Sequence, residues 1–475
     1  MIEINDFPNA KKVFDFFFEI SKIPRGSGNT EGITAYLVDF AKSRGLEVVK
    51  DSYNNVIIKK NATEGYENRP TVIIQGHTDL VAEKTPECPL DMNKDSLELY
   101  RDGDFIRAKG TSLGGDDGVA VAYALAILDS SDIPHPPIEA LFTSDEEIGL
   151  IGATGLDASN LNGKLLINVD SDIEGTFTVG CAGGIRVDAE LSLTEEKCDK
   201  TFYNLTVGGL LGGHSGMEID KNRANAIKIL AEVLSDIPDI RLVSLNGGSA
   251  DNAIPRDAIA IFAADGDIES RVNVKRYEIT KKWCSNEKDL KITLTPIESR
   301  ENALTHVSTA KILSLINDEP TGVIAMSRDI EGLVETSLNM GIASTKNGSF
   351  TLSFSIRSSK NDEKRNLKNK VAEIAKKLNA IVSEHGDYPA WEYRKDSALR
   401  DAMCLVYEKM YNKAPEVIVI HAGLECGIFA DKIEGLDCVS IGPDNFDIHT
   451  PEEHLSISST ARVYEFILEL LKNIA

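Results

Sequence analysis

Two adjacent carboxylates, Glu146 and Glu147, follow an apolar run from Ile138 to Phe142 that predicts a buried strand. Carboxylates after the C-terminal end of a strand lie where open α/β sheets bind their ligands. Because neighbouring residues on an extended backbone point in opposite directions, one carboxylate could bind a metal ion while the other transfers a proton. An acidic, solvent-exposed loop is the alternative interpretation, and the other residues of the chain decide between the two.

Four more acid- or imidazole-bearing residues occupy comparable positions. His77 and Asp170 each follow an apolar run, Asp116 opens an alanine-rich helix, and His449 lies in a polar loop near the C-terminus. Imidazoles and carboxylates without thiolates suit zinc, manganese or cobalt. Five such ligands could hold two ions if one carboxylate bridges them. Each residue alone has an ordinary explanation as a packed histidine, a helix cap or a loop acid, so the metal hypothesis depends on the whole set.

The elements around these residues indicate an α/β fold. Short apolar strands alternate with helices up to about Gly183, which predicts a catalytic domain with a mixed, largely parallel sheet. Beyond that point strands with one solvent-facing side predict an inserted α+β lid domain, residues 184–386, with a loose internal repeat. The turn Gly386–Pro389 predicts the return to the first domain. The catalytic domain is therefore expected to be discontinuous, with residues 1–183 and 387–475.

Composition excludes several classes of function. A chain of 475 residues is long enough for two or three domains, and its net charge of -24 disfavours binding to nucleic acid or to anionic membranes. No run of about 20 apolar residues exists that could span a bilayer. The N-terminus has an acidic layout unlike a signal peptide, and seven scattered cysteines without a Cys-x-x-Cys pair fit a reducing compartment. We therefore expect a cytoplasmic enzyme.

Short motifs around the candidate residues resemble those of the co-catalytic zinc exopeptidases related to glutamate carboxypeptidase. These motifs are Gly76–Asp79, Gly114–Gly118, Thr143–Gly149, Asn168–Asp170 and His449–Glu453. Further segments resemble a dipeptidase branch of that family more closely, namely Ile20–Pro24, Gly212–Gly216, Asn252–Arg256 and His421–Gly427. The likeness runs nearly from end to end. One departure is Gly115, where we expect alanine.

The resemblance assigns a metal-binding role to each of the five ligand candidates. It implies that His77 and Asp170 bind one ion, that Glu147 and His449 bind the other, and that Asp116 bridges the two. The implied cofactors are two divalent ions per chain, zinc first and manganese or cobalt as alternatives.

The resemblance also implies roles for residues beside the ligands. Asp79 would hydrogen-bond the ring of His77 and so fix its tautomer and orientation. A cis peptide would join Asp116 to Asp117. Glu146 would act as the general base, taking a proton from water activated by the two ions and returning it to the leaving amine.

Residues of the inserted domain are implied to contact the substrate. His214 matches a family histidine that stabilises charge on the carbonyl oxygen, although a turn histidine between glycines is the alternative interpretation. Arg357 matches an arginine that binds the C-terminal carboxylate of the substrate, which suits a bidentate guanidinium. Asn252 and Gly423 are weaker candidates for substrate contact.

The predicted function is therefore that of a cytosolic di-metal dipeptidase that hydrolyses unblocked dipeptides, Xaa-His and others. A related N-acyl-amino-acid amidohydrolase with the same metal core is one alternative. A non-catalytic peptide-binding scaffold is another, although it would have no use for Glu146. A homodimer through the inserted domain is compatible with the sequence, which leaves open whether His214 acts within its own chain or on a partner chain.

Overall fold

The computed structural model describes residues 4–298 and 300–474 and divides into two compact units. Unit 1 consists of Met1–Cys181, Tyr393–Val419 and Leu424–Ala475, and unit 2 of Ala182–Glu392 and Ile420–Gly423. The predicted insert, residues 184–386, lies within unit 2. No helix of the described residues is both long and apolar enough to cross a bilayer.

The helices, in chain order, are α1 Lys11–Ile20, α2 Glu31–Ser43, α3 Gly115–Asp129, α4 Ile151–Gly155, α5 Ala226–Ser235, α6 Ile268–Trp283, α7 His306–Asp318, α8 Asn361–Lys377, α9 Ala398–Tyr411, α10 Glu425–Lys432 and α11 Ile457–Asn473. Short 3-10 turns cover Pro8–Ala10, Ala158–Asn160 and Ile219–Lys221.

The strands are β1 Glu47–Lys50, β2 Val56–Lys60, β3 Val72–His77, β4 Leu99–Asp102, β5 Phe105–Ala108, β6 Ile138–Thr143, β7 Leu165–Asn168, β8 Thr176–Cys181, β9 Gly183–Ser192, β10 Glu195–Lys197, β11 Thr201–Gly208, β12 Gly213–His214, β13 Arg241–Gly247, β14 Ala253–Ile254, β15 Ala258–Ala264, β16 Lys291–Pro296, β17 Asn302–Leu304, β18 Gly322–Met326, β19 Val334–Lys346, β20 Ser349–Ser358, β21 Ile381–Tyr388, β22 Glu416–Ile420, β23 Asp437–Ser440, β24 Asn445–Phe446 and β25 His454–Ser456.

The main sheet of unit 1 has the strand order β1-β2-β6-β3-β7-β23-β8-β22. Its centre, β6-β3-β7-β23, is parallel, whereas β1, β2 and β8 pair antiparallel with their neighbours. Strands β3 and β6 are buried along their whole length because helices cover the sheet, which explains their largely apolar sequences. The mixed α/β fold is confirmed, and among the pairings described, parallel ones are confined to the central strands.

Helix α3 is buried on nearly every side, as its alanine-rich sequence allows. It packs in the core of unit 1 together with α1 and α11. A small antiparallel sheet of the same unit, β24-β25-β5-β4, carries the loop between β24 and β25. That loop contains His449.

Unit 2 is built on an antiparallel sheet with the order β16-β11-β15-β13-β19-β20-β9-β21, and β18 pairs with β19. Burial alternates along β9 and β20, which indicates one covered face. Helices α5, α6, α7 and α8 supply apolar side chains to the same core. This is the α+β architecture expected for the inserted domain.

Candidate metal centre and substrate-binding residues

The parallel strands of unit 1 bring the predicted ligands to one edge of the sheet. Strand β3 ends at His77, which lies beside Thr143 at the end of β6, and Gln75 lies beside Asn168 at the end of β7. The residues that follow β6 and β7 include Glu147 and Asp170. Parallel neighbours that end together place their C-terminal residues at one edge, where open α/β sheets bind ligands.

Asp116 lies at the centre of the cluster, at the start of α3. Its Oδ1 is 3.0 Å from Nε2 of His77, and its Oδ2 is 3.1 Å from Nε2 of His449. Nε2 of His77 is also 3.7 Å from Oδ1 of Asp170, and Nε2 of His449 is 2.9 Å from Oε1 of Glu147. Each oxygen of one carboxylate thus faces a different histidine, and each histidine has a second acid beside it.

These residues form two groups that could each hold a metal ion, one of His77, Asp116 and Asp170, and one of Asp116, Glu147 and His449. Within each group the ligand atoms lie within 4.8 Å of one another. Two ligands about 2.0–2.1 Å from a tetrahedral zinc are roughly 3.4 Å apart, close to the distances observed. Glu147 Oε1 also forms no hydrogen bond with any described residue despite its approach to His449. The residues present therefore fit two divalent cations that share Asp116.

The electrostatics of the metal-free cluster favour added positive charge. Burial raises the pKa of Asp170 well above its usual range. Burial also disfavours ionisation of Asp116, but hydrogen bonds with His449 and His77 outweigh it, so the pKa of that carboxyl lies below its usual range. The hydrogen bond with Asp116 and the approach of Glu147 raise the pKa of His449 to about 10. Binding of a metal ion must release the imidazole proton, because the ligand is the neutral ring.

Asp79 contacts the ring of His77, but mainly through its backbone carbonyl and not through its carboxylate as predicted. Nδ1 of His77 is 3.1 Å from the backbone oxygen of Asp79 and 3.4 Å from its carboxylate, so the carbonyl is the nearer partner. The Asp79 carboxylate accepts hydrogen bonds from the backbone N–H groups of Glu146 at 3.0 Å and Glu147 at 3.3 Å, and from the hydroxyl of Ser27 at 2.8 Å. Asp79 therefore orients the ring and also fixes the two glutamates.

Glu146 has the properties expected of a residue that carries a proton. Burial, with added repulsion from Glu425 and Glu147, raises its pKa to about 8 in the metal-free protein, against the opposing influence of His77. Cations bound beside Glu146 would lower this pKa again, so that the carboxylate could accept a proton from water. The predicted cis peptide between Asp116 and Asp117 is confirmed.

In unit 2 the structure places His214 beside Asn252. His214 lies on β12, which pairs with Ala253 on β14, and Ser215 N–H donates to the Asn252 carbonyl at 2.8 Å. Nδ1 of His214 accepts from the backbone N–H groups of Gly216 at 3.3 Å and Met217 at 3.1 Å, which assigns the ring proton to Nε2. Burial and the charge of Arg357 lower the pKa of this imidazole. His214 is therefore a neutral hydrogen-bond donor.

Arg357 and Gly423 both lie beside Tyr388 in unit 2. Nη1 of Arg357 donates to the hydroxyl of Tyr388 at 3.0 Å. A side chain at Gly423 would meet the ring of Tyr388 at 2.7 Å. His421 lies in the same group, where its Nε2 is 2.7 Å from the hydroxyl of Ser337, and burial and the charge of Arg357 lower its pKa to about 4.

Sequence reasoning assigned no catalytic or binding role to four residues that support these groups. Tyr388 was expected only to mark a turn. Glu425 is fully buried and accepts hydrogen bonds from the side chains on the ends of β3 and β6. Arg25 and Glu453 are also buried, and both bind the loop that precedes Asp116. None of them stands in a pattern typical of burial, because three are charged residues in a loop or at a helix start and Tyr388 is the last residue of β21.

Comparisons with known proteins agree with this geometry. The model of the peptidase family M20/M25/M40 matches residues 73–473. The cytosol non-specific dipeptidase of Escherichia coli strain K12 is 37% identical over 475 residues, 98% of each chain. Among solved structures, the aminoacylhistidine dipeptidase of Vibrio alginolyticus superposes with a TM-score of 0.93 at 34% identity, over 100% of this chain and 98% of that chain. A tripeptidase of Staphylococcus aureus, with a TM-score of 0.58 and 18% identity over 98% and 99% of the chains, shares the fold.

The resemblance to the co-catalytic zinc exopeptidases, and the closer one to aminoacyl-histidine dipeptidase, are confirmed by these matches. The family model covers most of the chain, including every predicted ligand. The chain belongs to peptidase family M20/M25/M40.

Proposed function

We propose that this chain is a dipeptidase that hydrolyses unblocked dipeptides, Xaa-His among them, with two divalent cations, zinc in the first instance. The observation that carries the proposal is the placement of Asp116, whose two oxygens face different histidines at 3.0 and 3.1 Å with Asp170 and Glu147 beside them. The 37% identity with a cytosol non-specific dipeptidase over 98% of the chain supports the substrate class.

The proposed chemistry divides between the cations and the protein. His77 and Asp170 would hold one cation, Glu147 and His449 would hold the other, and Asp116 would contribute to both sites. The cations would supply Lewis acidity for the scissile carbonyl and for water. Glu146 takes a proton from the attacking water as the carbon–oxygen bond forms. The carbon–nitrogen bond then breaks, and Glu146 returns the proton to the leaving amine nitrogen.

Unit 2 contributes binding groups in this proposal. The neutral Nε2–H of His214 donates to the carbonyl oxygen as negative charge develops on it. Arg357, assisted by the hydroxyl of Tyr388, binds the carboxylate of the dipeptide. Asn252, next to His214, and Gly423, packed on Tyr388, contact the same substrate through backbone or amide groups.

Assays on purified protein, with metal ions removed and then restored, test the proposal. We expect hydrolysis of unblocked dipeptides that a chelator abolishes and zinc, manganese or cobalt restores, with N-acyl amino acids hydrolysed poorly. A preference for N-acyl amino acids would favour the amidohydrolase alternative. Binding of dipeptides without hydrolysis, in protein that holds its metal ions, would favour the non-catalytic scaffold.

We also propose a cytoplasmic location, which the name of the Escherichia coli relative, a cytosol dipeptidase, supports. Dimerisation through unit 2 is a second, separate proposal. Sedimentation equilibrium tests it, since a single species with the mass of one chain, 51.8 kDa, at all concentrations would contradict a dimer.

A further inference from the structure

We infer that Arg25 and Glu453 are positioning residues that connect the loop after His77, the loop before Asp116 and the loop that contains His449. Neither was assigned a role by the sequence, and neither belongs to the proposed ligand set. The inference rests on the proposed metal centre, because it concerns how that ligand set is held.

Arg25 joins the loop after β3 to the loop before α3. The side chain is only 1% exposed. Its Nη1 donates to the carbonyls of Thr78 at 2.9 Å and Asp79 at 3.3 Å, and its Nη2 donates to the carbonyl of Gly114 at 2.5 Å. The Asp79 carbonyl is also the nearer partner of the His77 ring, at 3.1 Å. The guanidinium therefore acts on the orientation of His77 through one shared carbonyl.

Glu453 joins the same loop before α3 to the loop of His449. It is 2% exposed and follows a turn closed by its own N–H on the carbonyl of Thr450, at 3.2 Å. Its carboxylate accepts the backbone N–H groups of Leu113 at 2.7 Å, Gly114 at 2.8 Å and Asp116 at 3.2 Å. Asn445 donates its side-chain N–H to the same carboxylate at 3.2 Å. The bridging ligand is thereby fixed relative to His449.

Gly114 is bound by both Arg25 and Glu453. Its N–H binds the anion Glu453 and its carbonyl binds the cation Arg25. Its φ of +67° is a left-handed conformation, and an added Cβ would lie 2.6 Å from Nη2 of Arg25 and 2.7 Å from Leu80. Only glycine allows this backbone to come so close to the guanidinium. Two charged side chains far apart in sequence thus hold one residue from both sides.

The arrangement predicts that Arg25 and Glu453 affect the binding of different ions. Arg25 is connected to His77 through the shared Asp79 carbonyl, whereas Glu453 is connected to the loop of His449 through its N–H on the Thr450 carbonyl. Loss of a group that orients a metal ligand typically lowers metal affinity about 10- to 100-fold. When either Arg25 or Glu453 is replaced, the other side chain still binds Gly114. The affinity for the ion to which the replaced residue is not connected should therefore fall less.

The test measures Zn2+ affinity of metal-free protein against a chromophoric chelator in two single-ion backgrounds. Glu147→Gln leaves the ligand set of His77, Asp116 and Asp170, and Asp170→Asn leaves that of Asp116, Glu147 and His449. We expect Arg25→Lys to weaken binding about tenfold or more in the first background and no more than about threefold in the second. Glu453→Gln should show the reverse order.

The matched controls replace exposed residues near Arg25 and Glu453 in sequence. These controls, Lys22→Gln and Glu452→Gln, should change the Zn2+ affinity in neither background. Thermal unfolding of each metal-free variant shows that it is folded. The Arg25 and Glu453 measurements are independent, so one still tests the inference if the other variant fails to fold. Equal losses in both backgrounds, or no loss, would overturn the inference. Failure of the wild type to bind two ions would instead refute the proposed metal centre.

Discussion

Replacement of Glu425 by glutamine should stabilise the metal-free protein at alkaline pH. Glu425 is fully buried at the start of α10, and its Oε2 accepts hydrogen bonds from Gln75 at 2.6 Å and Thr143 at 2.7 Å. Its Oε1 has no partner among the described residues. A glutamine of the same shape can keep both hydrogen bonds through its amide oxygen while it removes a buried charge.

The size of the effect follows from the pKa. Burial raises the pKa of Glu425 from 4.5 to about 7, against the opposing influence of His77 and of its two hydrogen bonds. The unfolded chain loses this proton near pH 4.5, whereas the folded chain keeps it up to about pH 7, so stability falls as the pH rises through that window. The difference between a pKa of 4.5 and one of about 7 corresponds to roughly 3 kcal/mol.

The assay is thermal unfolding in the presence of a chelator at pH 5 and at pH 8. Glu425→Gln should raise the midpoint at pH 8 by roughly 6–12 °C, from about 2–4 °C per kcal/mol for a domain of this size, with little change at pH 5. The exposed Glu434→Gln serves as control and should shift neither midpoint. A lower midpoint for Glu425→Gln at pH 8, or an equal shift at both pH values, would refute the reasoning.

Three kinetic predictions follow from the proposed roles. Glu146→Gln should keep both ions and lower kcat about 100- to 10,000-fold, and a near-normal rate would show that another group is the base. His214→Ala should lower kcat about 100- to 1,000-fold without loss of metal, and unchanged kinetics would make it a turn residue. Arg357→Ala should cost about 1.5–3 kcal/mol in kcat/KM for dipeptides and far less for their C-terminal amides. Wild-type protein that cleaves a dipeptide and its amide equally well would exclude the carboxylate-binding role.

The local elements could be predicted because their signals lie within a few residues. Apolar runs that end in a polar residue gave β3, β6 and β7 together with the candidates that follow them. The start of α11 at Ile457 also has a local cause, because Ser456 caps the helix by accepting the N–H of Ser459.

The supporting contacts could not be predicted because they join residues that are distant in sequence. Arg25 and Glu453 meet at Gly114, and Glu425 meets Gln75. Burial of a charged side chain depends on partners that only the folded chain brings together, and no short motif records them. The resemblance implied roles for the proposed ligands and for Asp79, whereas it implied none for Arg25 or Glu453.

The central claim is that two cations share Asp116, and anomalous diffraction at the zinc edge from crystals of the zinc-loaded protein tests it most directly. The account predicts two peaks about 3.5–4 Å apart. One peak should be bounded by His77 and Asp170, the other by Glu147 and His449, with Asp116 in contact with both. A single peak in this cluster, or peaks on other residues, would contradict the account.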